Sequence, residues 1–281
     1  MSEALRFPIR SDLLSTSVAV ERVLVREQSE FQRIEIVETP AFGRVLLLDG
    51  HIQLTQLDEH AYHEALVQIP LLSMANPRRA LVIGGGDGGA LREIVRHPGI
   101  EHVDMVEIDA RVVALCREHL PSVSAGAFDD PRVQLHIADA FPFAKEDREP
   151  YDLIVLDSTD TYEEETGEIS EMLFTRTFYS DCLRLLSEGG MAVTQADNLV
   201  FCPYSLRAIR EEFAAVFPTV GSYLAIVPSF GGFSGYCWAS KGAAPGTRMP
   251  GLGSTLGLRY LGEATWAYAF QDHGFNLPET A

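Results

Sequence analysis

Leu81-Val82-Ile83-Gly84-Gly85-Gly86-Asp87-Gly88-Gly89 is an apolar run that ends in a glycine loop with one carboxylate in its middle. Glycines at such a place let the backbone turn tightly and approach a ligand closely, as in a nucleotide-binding strand–loop–helix unit. Gly84, Gly86 and Gly89 fit the dinucleotide spacing, a pattern that is weak by itself. Asp87 is the discriminating residue. A pyrophosphate in this loop would meet a negative charge, which disfavours NAD and ATP. An amine or sulfonium would be attracted, so the loop points to an adenosyl compound with a positive tail.

Downstream of the loop, short apolar runs alternate with helical patterns. Strands are expected at 81–83, 103–108, 133–137, 153–156, 192–194, 223–227 and 236–239. Helices are expected at about 90–96, 110–120, 172–186 and 203–217. This alternation predicts an α/β fold with a parallel sheet covered on both faces. Ligands of such sheets bind beyond the carboxyl ends of the strands, and the polar motifs fall there.

Glu107 closes the second strand about 20 residues beyond the glycine loop, where a carboxylate can accept both ribose hydroxyls. Asp139 ends the third strand ahead of Ala140, placed to take an exocyclic amino group of adenine. Asp157 ends the fourth strand within Leu156-Asp157-Ser158-Thr159-Asp160, and should face Asp87 across the crevice. Two close carboxylates beyond a strand can be a helix cap with a spare acid, or an amine site. Asp87 already asks for a positive partner and favours the amine site. A desolvated pocket would also lower an amine's pKa, and only the unprotonated amine is a nucleophile.

The chain has 281 residues, 46% of them hydrophobic, enough for one large domain and a smaller one. Its net charge of −18 argues against nucleic acid or an anionic membrane as partner. Cys116, Cys182, Cys202 and Cys237 show no paired metal spacing and read as buried free thiols, and no signal peptide or membrane-length apolar run is present. A cytoplasmic location is expected. Ahead of the α/β region, β-rich runs at 20–25, 33–37 and 44–48 are separated by turn signals and predict a small antiparallel sheet. A helix is expected at about 59–72, ending before Asn76-Pro77.

The motifs Gly84-Gly85-Gly86-Asp87-Gly88-Gly89, Glu107-Ile108-Asp109, Asp139-Ala140 and Asp157-Ser158-Thr159-Asp160 resemble the spermidine synthase (polyamine aminopropyltransferase) family. Leu48-Asp49-Gly50, Asp58-Glu59 and Tyr62-His63-Glu64 extend the likeness, which spans about residues 30–241. The resemblance implies a small N-terminal antiparallel β domain, 1–58, ahead of a Rossmann-like domain of methyltransferase type, 59–281, assembled as a homodimer or homotetramer. The implied donor is decarboxylated S-adenosylmethionine, a co-substrate, with no cofactor and no metal. The implied acceptor is an amine, commonly putrescine, and the co-product is methylthioadenosine. Carried onto matching positions, Gln32, Asp87, Glu107, Asp139 and Ala140 hold the donor and Asp157 is the general base. Tyr62, His63, Asp160, Gln195 and Phe230 belong to the acceptor side.

Two departures from the family bear on the acceptor. After Asp160 the segment Thr161–Glu171 is long and strongly acidic, which suits either a solvated loop or an entrance that attracts polycations. Pro228-Ser229-Phe230 stands where the family usually has Pro-Thr-Tyr, so a phenolic oxygen is missing. Agmatine, cadaverine or spermidine are therefore alternative acceptors. A methyltransferase on the same fold and a non-catalytic polyamine binder are the readings from other classes, against which Asp87 and Asp157 stand.

Overall fold

The computed structural model describes residues 4–10, 13–158, 173–242 and 244–272. The N-terminal part holds a hairpin, β1 (Ala4–Arg10) with β2 (Leu14–Ala19), and a four-stranded antiparallel sheet. That sheet runs β3 (Arg22–Gln28), β4 (Arg33–Thr39), β5 (Gly43–Leu48), β6 (His51–Thr55) in sequence order. Three of these strands are those expected; β6 and the separate hairpin are additional. Asp49 and Gly50, both with positive φ (50° and 85°), turn β5 into β6, the backbone that a two-residue hairpin with matching twist requires.

The small sheet is apolar on both faces because both are covered. Ile34, Ile36, Leu46 and Leu48 pack against Val112, Leu115 and Cys116 of helix α3, which is described below. Val37, Val45 and Leu47 pack against Phe7 and Val18 of the hairpin. Alternate strand residues point to opposite faces, so β4 and β5 each feed two cores.

α1 (Glu59–Ser73) follows and is buried on nearly all sides, which fits a helix enclosed by protein rather than lying on a surface. The α/β region then runs β7 (Arg79–Gly84), α2 (Gly89–Val95), β8 (His102–Glu107), α3 (Ala110–His119), α4 (Pro121–Ser124), β9 (Val133–Ile137), α5 (Ala140–Lys145) and β10 (Tyr151–Asp157). α6 (Arg176–Leu185), β11 (Leu186–Asn198), α7 (Pro203–Ala214), β12 (Thr219–Val227), β13 (Gly232–Ser240) and α8 (Glu263–Ala269) complete it.

The seven strands form one sheet in the order β12-β13-β11-β10-β7-β8-β9. Strands β11, β10, β7, β8 and β9 pair in parallel, as expected. β13 is antiparallel to both neighbours, and here the all-parallel expectation needs correction. Only residues 228–231 join β12 to β13. A parallel crossover takes a dozen residues or more, so that connection can only fold back.

α1 and α2 cover one face of the sheet, and α5, α6 and α7 cover the other. The C-terminal stretch packs on the α1 side, with Leu261 and Trp266 buried in that core. Glu64 of α1, fully buried, accepts the backbone N–H groups of Arg259, Tyr260 and Leu261 at 2.7, 2.9 and 2.9 Å. All four cysteines are buried, and no disulfide joins them. Among the described residues no helix is long and apolar enough to cross a membrane.

Candidate active site

A cavity of about 510 Å³ opens at the carboxyl ends of β7, β8, β9, β10 and β11, within the range of small-molecule sites. Its floor carries Gly84, Gly86, Asp87, Glu107, Asp139, Ala140, Asp157 and Gln195. The opposite wall is N-terminal, with Pro8, Ile9, Gln32, Leu46, Asp49 and Ile52, and Tyr62 and Phe230 also face in. The N-terminal wall is tied to the floor through Asp109, which caps α3. Asp109 Oδ2 accepts Ser29 Oγ at 2.6 Å and Gln32 Nε2 at 3.0 Å, while its Oδ1 accepts Arg111 N at 2.9 Å.

Gly84 has φ +79°, and a Cβ there would sit 2.3 Å from the Asp157 carbonyl oxygen, so only glycine fits. Gly85 N donates to that same carbonyl at 2.8 Å. Gly84 is the register partner of Asp157 across β7 and β10, which brings the glycine loop and Asp157 together as expected. Asp87 Oδ1 accepts Gly89 N at 2.6 Å and holds the loop closed over the start of α2.

Glu107 is 7% exposed, and its Oε1 accepts Asp109 N at 2.9 Å. Burial, with added repulsion from Asp109 and Asp87, pushes its carboxyl up to about 7. Asp139 is exposed at the head of α5, where its Oδ1 accepts Phe141 N at 2.8 Å. Glu107 and Asp139 thus stand at successive strand ends with carboxylates towards one cavity.

Asp157 is the electrostatic centre of the site. Its Oδ1 accepts the Tyr62 hydroxyl at 2.7 Å. Its Oδ2 is buried and has no hydrogen-bond partner among the described residues. Burial and the nearby Asp87 push this carboxyl up to about 6, with His63 and Tyr62 pulling the other way. Single ligand atoms of His63, Asp87 and Asp157 all lie within 4.8 Å of one another. Two carboxylates so close, one with a spare buried oxygen, form a receptor for a cation that carries protons.

Beside Asp157, the Tyr62 ring meets Phe230 edge-on with centroids 5.6 Å apart. Asp58 fixes the turn that carries Phe230, accepting Ser229 N at 2.8 Å and Ser229 Oγ at 2.9 Å. Gln195 donates to the Ser158 carbonyl at 3.2 Å and accepts Asp197 N at 3.0 Å. Asp160 and the acidic segment after it lie outside the described residues.

His63 and Gly89 do not reach the cavity wall. His63 is 1% exposed and lies beneath Asp87, where its ring fills the space above Gly89. Neighbouring helix residues are about 100° apart, so Tyr62 pointing inward turns His63 away. Asp197 is a wall residue that the sequence reading leaves out. It has φ +59°, uncommon for a non-glycine residue, and burial raises its carboxyl. The only signal in the sequence is Gln195-Ala196-Asp197 just past the strand expected at 192–194.

The family model described as the spermine/spermidine synthase domain matches residues 59–246. The chain belongs to the spermine/spermidine synthase family. A second model, described as the spermidine synthase tetramerisation domain, matches residues 9–56. A polyamine aminopropyltransferase of Pectobacterium carotovorum subsp. carotovorum is 44% identical over 227 residues, covering 80% of this chain and 77% of the relative. One from Serratia proteamaculans is 40% identical over 259 residues, covering 92% and 84%. Among solved structures, a spermidine synthase in complex with the transition state analogue AdoDATO is 30% identical. It has a TM-score of 0.88 and covers 98% of this chain and 92% of that one. The spermidine synthase from Thermotoga maritima is 29% identical, with a TM-score of 0.85 and coverage of 98% and 91%. In this family member the four strand-end acids lie at the four sheet positions read from its sequence.

Proposed function

We propose that this chain transfers the aminopropyl group of decarboxylated S-adenosylmethionine to an amine, with putrescine as first acceptor, giving spermidine and methylthioadenosine. The observation that carries the reading is Asp157, whose Oδ2 is buried without a partner among the described residues and whose carboxylate lies within 4.8 Å of that of Asp87. Glu107 takes the ribose hydroxyls, Asp139 and Ala140 the adenine edge, Gln32 the nucleoside side, and Asp87 the ammonium of the aminopropyl tail. Ordinary S-adenosylmethionine carries a carboxylate at that tail, which Asp87 repels.

The acceptor nitrogen attacks the methylene next to the sulfonium. The carbon–sulfur electrons return to sulfur, which leaves as the neutral thioether of methylthioadenosine. The proton released from nitrogen as the carbon–nitrogen bond forms passes to Asp157. Sulfur's positive charge already activates the leaving group, so the protein's tasks are alignment and proton removal. Tyr62, Gln195 and Phe230 border the acceptor.

The same reading includes a homo-oligomer, dimer or tetramer, built through the N-terminal part, a division into domains at 58/59, a cytoplasmic location, and no cofactor beyond the two substrates. The deciding experiment is a mass-spectrometric product screen. Decarboxylated S-adenosylmethionine is offered with putrescine, cadaverine, agmatine or spermidine, against S-adenosylmethionine as control donor. Methylthioadenosine with one aminopropylated amine is expected, and Asp157→Asn should abolish it while retaining methylthioadenosine binding. A methylated product from the control donor would overturn the reading.

A further inference from the structure

Beneath Asp87 lies a buried set of charges that the transfer reaction, as described above, leaves unused. Both ring nitrogens of His63 face carboxylates: Nδ1 is 2.9 Å from Glu59 Oε2, and Nε2 is 3.3 Å from Asp87 Oδ1. A neutral imidazole carries one N–H and one lone pair, so one of these contacts would set lone pair against carboxylate. Only the imidazolium satisfies both. Glu59 is held in turn by Arg92, whose two terminal nitrogens reach Glu59 Oε1 and Oε2 at 3.0 and 2.9 Å. Arg92 also donates through Nε to Glu93 Oε1 at 2.8 Å. Glu59, His63 and Arg92 are 6%, 1% and 12% exposed, so solvent screens this chain of charges little.

We propose that Arg92, Glu59 and His63 form a positioning relay that keeps His63 a permanent imidazolium under Asp87, and that its charge stops Asp87 and Asp157 from sharing a proton. Without that charge, burial and repulsion from Asp87 would hold a proton on Asp157 into the neutral range. A pair with one shared proton is half a site, because the ammonium needs one carboxylate ionised and the base must be the other. With the imidazolium beneath, Asp157 gives up its proton before the ammonium enters. The inference rests on the aminopropyl-transfer reading, in which Asp87 and Asp157 have those two tasks.

The surroundings of His63 agree. On its own helix it faces Glu59 and Tyr62; from the glycine loop, Asp87; from α2, Arg92 behind Glu59; from the end of β10, Asp157. The strands packed against α1 present Tyr223 and Tyr236, whose phenols burial keeps neutral and whose hydroxyls donate to the Ala65 and Tyr62 carbonyls. Negative neighbours thus outnumber positive ones at the ring. The same balance holds the imidazolium up to about 10 and the Glu59 carboxyl down to about 2. Gly89 is part of the device, since a Cβ there would lie 2.3 Å from the His63 ring and push it off Asp87.

The test has an arm that needs no turnover. Imidazole NMR of the free protein, with His63 assigned by its loss in His63→Gln, is expected to show a doubly protonated ring at pH 8. A ring titrating near 6.5 would overturn the proposal whatever the enzyme does. In the second arm the pH dependence of kcat/KM for the donor is compared in wild type, His63→Gln and Glu59→Gln. The acid limb should move to higher pH by about one unit in His63→Gln and by less in Glu59→Gln. A lower kcat with an unmoved acid limb in both variants would mean that His63 only packs, and would also overturn it. Glu59→Gln keeps this arm available if His63→Gln fails to fold. Absence of transfer in the wild type would sink the functional reading and leave the NMR result standing.

Discussion

The Tyr62 hydroxyl donates to one oxygen of Asp157 at 2.7 Å, and the other oxygen of that carboxylate is buried and has no partner among the described residues. One oxygen is fixed so that the other has a defined direction. Tyr62→Phe removes a hydrogen bond that favours the ionised carboxylate, so the Asp157 carboxyl should rise further above about 6. Activity at neutral pH is expected to fall on the order of 10–100-fold, as for loss of a hydrogen bond to a charged group. Part of it should return at higher pH, where Asp157 ionises without help. A pH–rate profile checks this; a uniform loss at every pH would assign Tyr62 to substrate placement alone.

Asp87→Ala should separate the donor from its own product. Decarboxylated S-adenosylmethionine carries the ammonium tail and methylthioadenosine does not. Calorimetric titration is expected to show the donor weakened on the order of 100-fold, and methylthioadenosine changed little. Equal losses for both ligands would count against charge pairing at this position.

Glu107 predicts a trade between stability and binding. Its carboxyl, at about 7 in the folded chain, is raised from an ordinary value of 4.5. A group raised on folding contributes its full stability below the unfolded value and loses it as pH rises through the folded one. The free protein therefore loses stability between about 4.5 and 7 on account of Glu107. Glu107→Gln should be more stable than wild type at pH 8, by roughly 1–3 kcal/mol, and unchanged near pH 4. It should bind methylthioadenosine about 10–100-fold more weakly, having lost the ionised acceptor for the ribose hydroxyls. Thermal melts at the two pH values, with and without the nucleoside, read both effects.

Glu64→Ala leaves three consecutive N–H groups, those of Arg259, Tyr260 and Leu261, without their acceptor. The expected loss is about 2–4 kcal/mol, less than three separate buried orphans, because the released segment can reach water. Hydrogen exchange should rise first at 259–261 and then along α1. Unchanged protection of that segment would show that Leu261 and Trp266 hold it by packing alone.

The four strand-end carboxylates were legible because alternation of apolar and helical segments fixes where strands stop, and strand ends in such a sheet share one crevice. Asp157 could be set opposite Asp87 for the same reason. What local pattern could not carry is contact across the chain. Ile9 reaches the cavity from a hairpin, and its carbonyl accepts from Cys202 Sγ, 193 residues away. Asp197 faces inward only because its backbone is left-handed, which no side-chain pattern announces. His63 stands beside Tyr62 in sequence, yet helix geometry sends the two rings to different neighbours. The reversal of β13 was, by contrast, readable from the length of the 228–231 connector.

Asp157 and the glycine loop are adjacent rows of one sheet, paired at Gly84 and joined by a backbone hydrogen bond. The distance between the Asp157 backbone and the glycine loop is therefore a strand spacing, about 4.8 Å, and not the outcome of loop placement. Phe230, Ile9 and Gln195 border the cavity instead from the β12–β13 turn, the β1–β2 hairpin and the end of β11. Floor and wall can thus diverge independently: these turns can be exchanged for others while Asp157 and the glycine loop keep their separation.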